Sequence, residues 1–229
     1  MKKIDGSIRE RTAAMRVLVT GASAGIGRAC AEKFLREGHE VFGMDVREAG
    51  ISHPRYRHFV CDIRDERLPE IPGLEILVNN AGVQGSGCDI EVNLRGTIHV
   101  TEFYAFQPAI RAVVFLASAS ATTGAEFPEY AASKGGILAY MRNVALRIAK
   151  WGATSNSVSA GGVMTGLNRH ILEDPKLYQS VLKETLLGKW AEPEEIAEFV
   201  YFTAVVNRSM TGEDLFVDNG EKLKSNFIW

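Results

Sequence analysis

The chain has 229 residues, 46% apolar and 24% charged, with a formal net charge of −2. That composition is ordinary for a soluble globular protein, and the charge excludes a bulk electrostatic pull toward nucleic acid or an anionic membrane. Cys30, Cys61 and Cys88 form an odd set without metal-like spacing and read as reduced thiols of a cytoplasmic protein. No apolar run approaches the roughly 18 residues of a spanning helix. The first residues also lack the apolar stretch of a secretion signal.

Residues 1–14 are polar and weakly periodic and read as an N-terminal extension. The β-branched run at 15–21 ends in glycine and predicts a buried strand. Apolar Ile26, Ala29, Cys30, Phe34 and Leu35 then predict a helix over 25–37, stopped by Gly38. Further strands are expected at 40–45, 57–62, 75–82, 111–118, 153–159 and 214–220, with helices over 89–106, 129–150 and 193–205. Strands alternating with helices imply parallel crossovers in an α/β fold, a doubly wound, mostly parallel seven-stranded sheet with helices on both faces. No repeat or linker divides residues 15–229, so they read as a single domain. In such sheets ligands bind beyond the carboxyl ends of the strands.

After the first strand comes TGASAGIG, with Gly21, Gly25 and Gly27. The spacing differs from the G-x-G-x-x-G fingerprint, but the physics is shared. Glycines permit a tight turn, and the following helix offers unpaired N–H groups to a pyrophosphate. The same glycines also suit an ordinary strand-to-helix turn. Asp45 ends the second strand, near the offset of about 20 residues expected of an acid that binds a ribose. A carboxylate there accepts bonds from ribose hydroxyls and repels a 2′-phosphate, which favours NAD over NADP. Arg47, two residues on, partly offsets that charge. Asp62 follows the third strand, where it suits either an adenine contact or a turn.

TGASAGIG, NNAG at 79–82 and YAASK at 130–134 together resemble the short-chain dehydrogenase/reductase family. The likeness continues through NSVSAGGVMTG, GKWAEPEEIAEFVYF and MTGEDLFVDNGE and covers about residues 15–221. It implies a catalytic set. Tyr130 matches the acid/base and Lys134 its neighbour; Ser118 orients the substrate carbonyl, and Asn93 holds a water on the proton path. It also implies a cofactor cradle of Gly21, Ser23, Ala24, Gly25, Ile26, Gly27, Asp45, Asp62, Ile63, Asn80, Ala81 and Gly82. Tyr130 and Lys134 join that cradle, and Val163 and Thr165 match the contacts to the nicotinamide carboxamide. A homodimer or homotetramer acting on a small-molecule alcohol or ketone follows from the same resemblance.

The chemistry stands on its own terms. Tyr130 and Lys134 lie one helical turn apart. Tyrosine is a poor base at its reference pKa of about 10. A unit charge at about 4 Å, at an effective dielectric of about 20, is worth roughly 4 kcal/mol. That lowers the tyrosine by roughly 2–3 units before desolvation opposes it. Ser118 has a rival in Ser120, and a lone Tyr–Lys pair also occurs on ordinary helix surfaces.

Three departures from the family pattern stand out. The stretch from Gly82 to Asn93 is short, and the two prolines between Asp62 and Leu74 limit any helix there. In the family this side contributes to a subunit interface, so its geometry is expected to differ. Ala160 stands in place of a usual proline and is expected to loosen the loop that follows. Asn219 replaces a glycine in a turn that asparagine also tolerates. Residues 167–190 occupy the place of the family's substrate lid and offer His170, Tyr178 and Trp190 beside Leu167, Ile171 and Leu172. The apolar C-terminus, Phe227, Ile228 and Trp229, is expected to pack on the chain's own core or on a neighbouring subunit. A cofactor-binding sensor or scaffold without turnover remains the alternative function, and a sugar-nucleotide epimerase a further one.

Overall fold

The computed structural model describes residues 14–125 and 127–223. The extension expected at 1–14, Ala14 apart, and the three C-terminal apolar residues lie outside them. The strands are β1 (Arg16–Thr20), β2 (Glu40–Asp45), β3 (Tyr56–Val60), β4 (Ile76–Asn79), β5 (Ala112–Ser118), β6 (Thr154–Ala160) and β7 (Asp214–Val217). They form one sheet in the order β3-β2-β1-β4-β5-β6-β7. Every neighbouring pair is parallel. The order reverses between β1 and β4, the place where such sheets bind ligands.

Alternate residues of the buried strands feed two cores. Val17, Val19, Val78 and Val114 pack on Phe34 of α1 (Gly25–Arg36) and on Ile196 and Val200. Leu18, Leu77, Val113 and Phe115 face the other way, toward Ile137, Met141 and Val144. Helices on both faces leave β1, β4 and β5 apolar on both sides. On the second face a seven-residue π-helical segment, Ile90–Gly96, runs into α2 (Thr97–Tyr104). The four-residue α3 (Ser120–Thr123) and the long α4 (Pro128–Ile148) follow β5. Two short helices, α5 (Arg169–Leu172) and α6 (Pro175–Leu182), build the 167–190 segment; periodicity over so few residues does not announce them. α7 (Pro193–Tyr201) continues into a second π segment, Phe202–Val206.

The thin covering expected after β3 is present. No helix forms between β3 and β4; instead Leu68, Ile71 and Leu74 are buried against the second core. The Tyr104 hydroxyl donates to the Pro69 carbonyl and pins this segment to α2. In the short 83–92 stretch, residues 83–89 form a turn gathered by Asp89, and 90–92 already belong to the π segment. The buried Asp89 carboxylate accepts the Gly85 and Ser86 amides, each at 2.9 Å, and the Ser86 hydroxyl at 3.1 Å.

Ala160 departs from expectation. It is buried, lies in β6 and is paired with Ser118 on one side and Val217 on the other. An alanine keeps the N–H that proline lacks, so Ala160 itself takes part in the sheet between β5 and β7. Asn219 adopts φ 53°, the left-handed conformation expected of it. Among the described residues, no helix is long and apolar enough to cross a membrane.

Candidate active site

The glycine loop is built by close approach. A Cβ on Gly27 would lie 2.1 Å from the Gly21 carbonyl oxygen and 2.4 Å from Asn80 Nδ2. A Cβ on Gly21, whose φ is +67°, would lie 2.9 Å from Ala81 Cα. The loop therefore sits directly on the end of β4. Asn80 Nδ2 donates to the Thr20 and Gly21 carbonyls at 3.0 and 3.2 Å, and the Asn80 and Ala81 amides both reach Thr20 Oγ1 at 3.0 Å. Ala24 precedes α1 without a side-chain cap, and the first turn of α1, with Ile26, carries no acidic residue. Its leading N–H groups thus point outward unneutralised, as an anion requires. A cavity of about 310 Å³ opens beside them, lined by Gly25, Arg28, Thr165 and Gly166 among others.

Gly27→Ala is expected to lower the melting temperature, since the Gly21 carbonyl is backbone and Asn80 Nδ2 can move only by giving up its two hydrogen bonds, at a cost of about 1–3 kcal/mol. It is expected to weaken dinucleotide binding as well. Thermal melting and a fluorescence titration check both, and native behaviour in both would contradict the close packing.

Asp45 is buried at the end of β2. Its carboxylate accepts the Ser23 amide at 3.0 Å and, on the other oxygen, the Arg47 amide at 3.0 Å and Nε at 3.3 Å. Burial pushes the Asp45 carboxyl up, but the two amides and the Arg47 guanidinium outweigh it and hold it below the usual carboxylate range. Ser23 Oγ donates to the Glu48 carbonyl at 2.9 Å, so the glycine loop and the β2 end form one unit. Asp62 is bound bidentately by Arg64, through Nε at 3.0 Å and Nη2 at 2.7 Å, which keeps it charged and fixes its turn. Ile63 is buried, its side chain against Gly96 of the π segment.

The proposed catalytic residues gather beyond β4 and β5. Ser118 is the last residue of β5, and its Oγ accepts the Ser120 hydroxyl at 2.8 Å and the Ser120 amide at 3.2 Å. Ser120, a rival in the sequence, is its partner; the bond leaves the Ser118 proton for another acceptor. Tyr130 and Lys134 occupy the first turns of α4, with Lys134 Nζ 5.6 Å from the Tyr130 ring centroid. Lys134 is buried and donates to the Leu116 carbonyl at 2.8 Å. Burial pushes its ammonium down to about 8. Gly82 lies beside it: a Cβ there would be in ordinary contact with Nζ at 3.7 Å but tight against Asn93 Oδ1 at 3.1 Å.

Asn93 lies fully buried in the π segment. Its Oδ1 accepts the Val83 amide at 2.8 Å, and its Nδ2 donates to the Val83 carbonyl at 2.8 Å and to Ser133 Oγ at 3.1 Å. Ser133 in turn donates to the Tyr130 carbonyl at 2.7 Å. The Asn93 side chain is thus first a brace between the 83–89 turn and the α4 turn that carries Tyr130.

Val163 and Thr165 follow β6, and Thr165 Cγ2 would lie 3.3 Å from a Cβ on Gly25. This loop therefore faces the glycine cradle. Trp190 is buried edge-on to Tyr178, with centroids 5.7 Å apart, and packs against Gly162. It supports the loop rather than lining an open pocket. His170 is exposed on α5. Glu221 was not singled out by sequence; its carboxylate meets this loop from 59 residues away, and no local pattern signals such a pairing.

A family model described as enoyl-(acyl carrier protein) reductase matches residues 21–222. Glucose 1-dehydrogenase of Gluconobacter oxydans is 29% identical over 96% of this chain and 96% of its own. The 3-oxoacyl-[acyl-carrier-protein] reductase of Buchnera aphidicola is 28% identical over 88% of this chain and 95% of its own. The ligand-free aldohexose dehydrogenase of Thermoplasma acidophilum superposes with a TM-score of 0.84 at 26% identity, covering 95% of this chain and 98% of its own. The chain belongs to the short-chain dehydrogenase/reductase family and is an oxidoreductase of that kind.

Proposed function

We propose that the protein is an NAD(H)-dependent oxidoreductase that interconverts a secondary alcohol and a ketone, with Tyr130 as the general acid/base. The observation that carries this reading is Lys134. A buried ammonium under the end of β5, beside Gly82 and the Tyr130 ring, costs stability despite its bond to the Leu116 carbonyl, and such a cost supports a working site.

The cradle fits a nicotinamide dinucleotide. Gly21, Ser23, Ala24, Gly25, Ile26 and Gly27 hold its pyrophosphate, Asp45 its adenosine ribose, and Asp62 and Ile63 its adenine. Asn80, Ala81 and Gly82 line its course, and Val163 and Thr165 hold the carboxamide. When bound, the nicotinamide supplies or accepts the hydride. Ser118 donates to the substrate oxygen and stabilises developing alkoxide charge. Tyr130 gives that oxygen a proton in reduction and takes it in oxidation. Lys134 lowers the tyrosine's affinity for the proton and reaches the nicotinamide ribose. Asn93 braces Tyr130 and holds a water on the proton path.

Asp45 supports NAD over NADP. Asp45→Ser is expected to shift the NADH-to-NADPH ratio of kcat/KM about 10²-fold toward NADPH, because the repelling carboxylate goes and Arg47 stays. Native enzyme that already prefers NADPH would overturn this part of the reading. The function itself is tested by a panel of secondary alcohols and ketones with both cofactors. Relatives named for hexoses and 3-oxoacyl groups place sugars and 3-oxoacyl thioesters in that panel. Absence of turnover across it, with tight NADH binding, would favour a sensor or scaffold.

We also read residues 15–229 as one catalytic domain of a cytoplasmic homodimer or homotetramer, on the family resemblance and the free thiols. Light scattering measures that assembly, and a monomer would contradict it.

A further inference from the structure

The geometry points to Glu221 as the residue that positions the 161–165 loop for the nicotinamide, by holding the Gly162 amide from behind; this rests on the function proposed above. Glu221 Oε2 accepts the Gly162 N–H at 3.1 Å. The approach is close on both sides of the loop. A Cβ on Gly161 would lie 2.6 Å from Glu221 Oε2 and 2.9 Å from Asp218 Cα, and a Cβ on Gly162 would lie 2.2 Å from Trp190 Cε2. Two successive glycines let the backbone pass between the turn after β7 and the Trp190 ring.

The other amides of the loop are also assigned. Gly161 N–H donates to Val217, Met164 N–H to Ala191 and Thr165 N–H to Val163, at 3.2, 2.9 and 2.8 Å. The Ala191 amide donates to the Gly162 carbonyl at 3.0 Å and completes a parallel bridge opposite Val163. In that bridge the Val163 N–H points away from Ala191. Among the described residues it has no protein partner, so it is the amide left for a ligand. Glu221 fixes the peptide unit just before it.

Glu221 occupies this place at a cost. Burial pushes its carboxyl up, and the nearby Asp218 and Glu184 push it further, while the Gly162 amide pulls it down. A half-buried carboxylate set among acids is poor design for stability alone and suits a placed acceptor. The same turn also holds the end of the lid. The Asn219 carbonyl accepts the Leu186 and Leu187 amides at 3.0 and 3.1 Å. One turn thus sets the loop and the lid together.

The test compares NADH with ADP-ribose, which lacks the nicotinamide, by calorimetric titration of the full chain. Glu221→Met keeps the bulk and removes the acceptor; Glu221→Ala is measured beside it, and Glu221→Gln keeps an acceptor oxygen. The expected result is an NADH Kd raised about tenfold in E221M and E221A, with ADP-ribose changed less than about twofold. E221Q is expected to stay within about twofold of native for both ligands. Equal weakening of both ligands, unchanged NADH binding in E221M or E221A, or an E221Q loss of about tenfold in NADH binding would overturn the assignment, and the last of these is read on E221Q alone where the other two fail to fold. A native chain that binds neither ligand overturns the cofactor reading instead.

Discussion

Replacing Tyr130 with phenylalanine is expected to lower kcat about 10³-fold, within the range that general acid–base catalysis supplies. NADH affinity is expected to stay within about twofold. The change removes one oxygen and keeps the ring that lies beside Lys134 Nζ. The turn that carries it is held without the Tyr130 hydroxyl, since the Ser133 side chain donates to the Tyr130 carbonyl and the Asn93 side chain donates to Ser133. The variant therefore keeps its fold and its cofactor and loses the proton donor. Steady-state kinetics with a substrate from the panel, together with NADH titration, separate the two effects. Full rate in Tyr130→Phe would mean that another group moves the proton.

Lys134→Met is expected to abolish most turnover, about 10²–10³-fold, while leaving stability nearly unchanged. In the fold the ammonium is pushed from an ordinary 10.5 down to about 8, so its burial costs about 3 kcal/mol at neutral pH. Methionine removes that cost and strands the Leu116 carbonyl, a loss of about 1–3 kcal/mol that offsets the gain. The pH dependence has a definite sign. Below about 8 both folded and unfolded chains carry the proton, and the cost is fully present. Between about 8 and 10.5 the folded chain sheds the proton while the unfolded chain keeps it, so stability from this group rises with pH. Denaturant melts across that window are expected to show this rise in the native protein and its loss in Lys134→Met. Charge lost from Lys134 also weakens its hold on the tyrosine, so kcat/KM is expected to turn down as pH passes about 8. A lysine variant that is strongly destabilised yet active would contradict this division of labour.

What was legible in the sequence is what local spacing encodes. Gly21, Gly25 and Gly27 declare a turn between strand and helix, and the structure shows why no side chain fits there. Tyr130 and Lys134 share a helix face by spacing alone, and short strand-like runs alternating with helical segments located all seven strands to within a few residues. Long-range pairings stayed hidden. Ser120 looked like a competitor of Ser118 and is its hydrogen-bond donor. The sequence pointed to Asn93 as a water holder and gave no sign that its side chain also ties two loops together through Val83 and Ser133. Ala160 looked like a loosened loop because the strand that pins it, β7, lies more than fifty residues on. Trp190 read as pocket lining and packs on Gly162, and Glu221 carried no signal at all. Such contacts depend on which strand ends the sheet order brings together, and that order is a property of the whole chain.

The measurement that tests the account most directly is deuterium transfer from labelled NADH to a ketone of the panel, in native protein and in Tyr130→Phe. The account predicts that the native enzyme places deuterium on the carbinol carbon and that the variant, binding NADH as tightly, does so about 10³-fold more slowly. Deuterium transfer at the native rate by Tyr130→Phe, or none by the native enzyme to any ketone while NADH is bound, would contradict it.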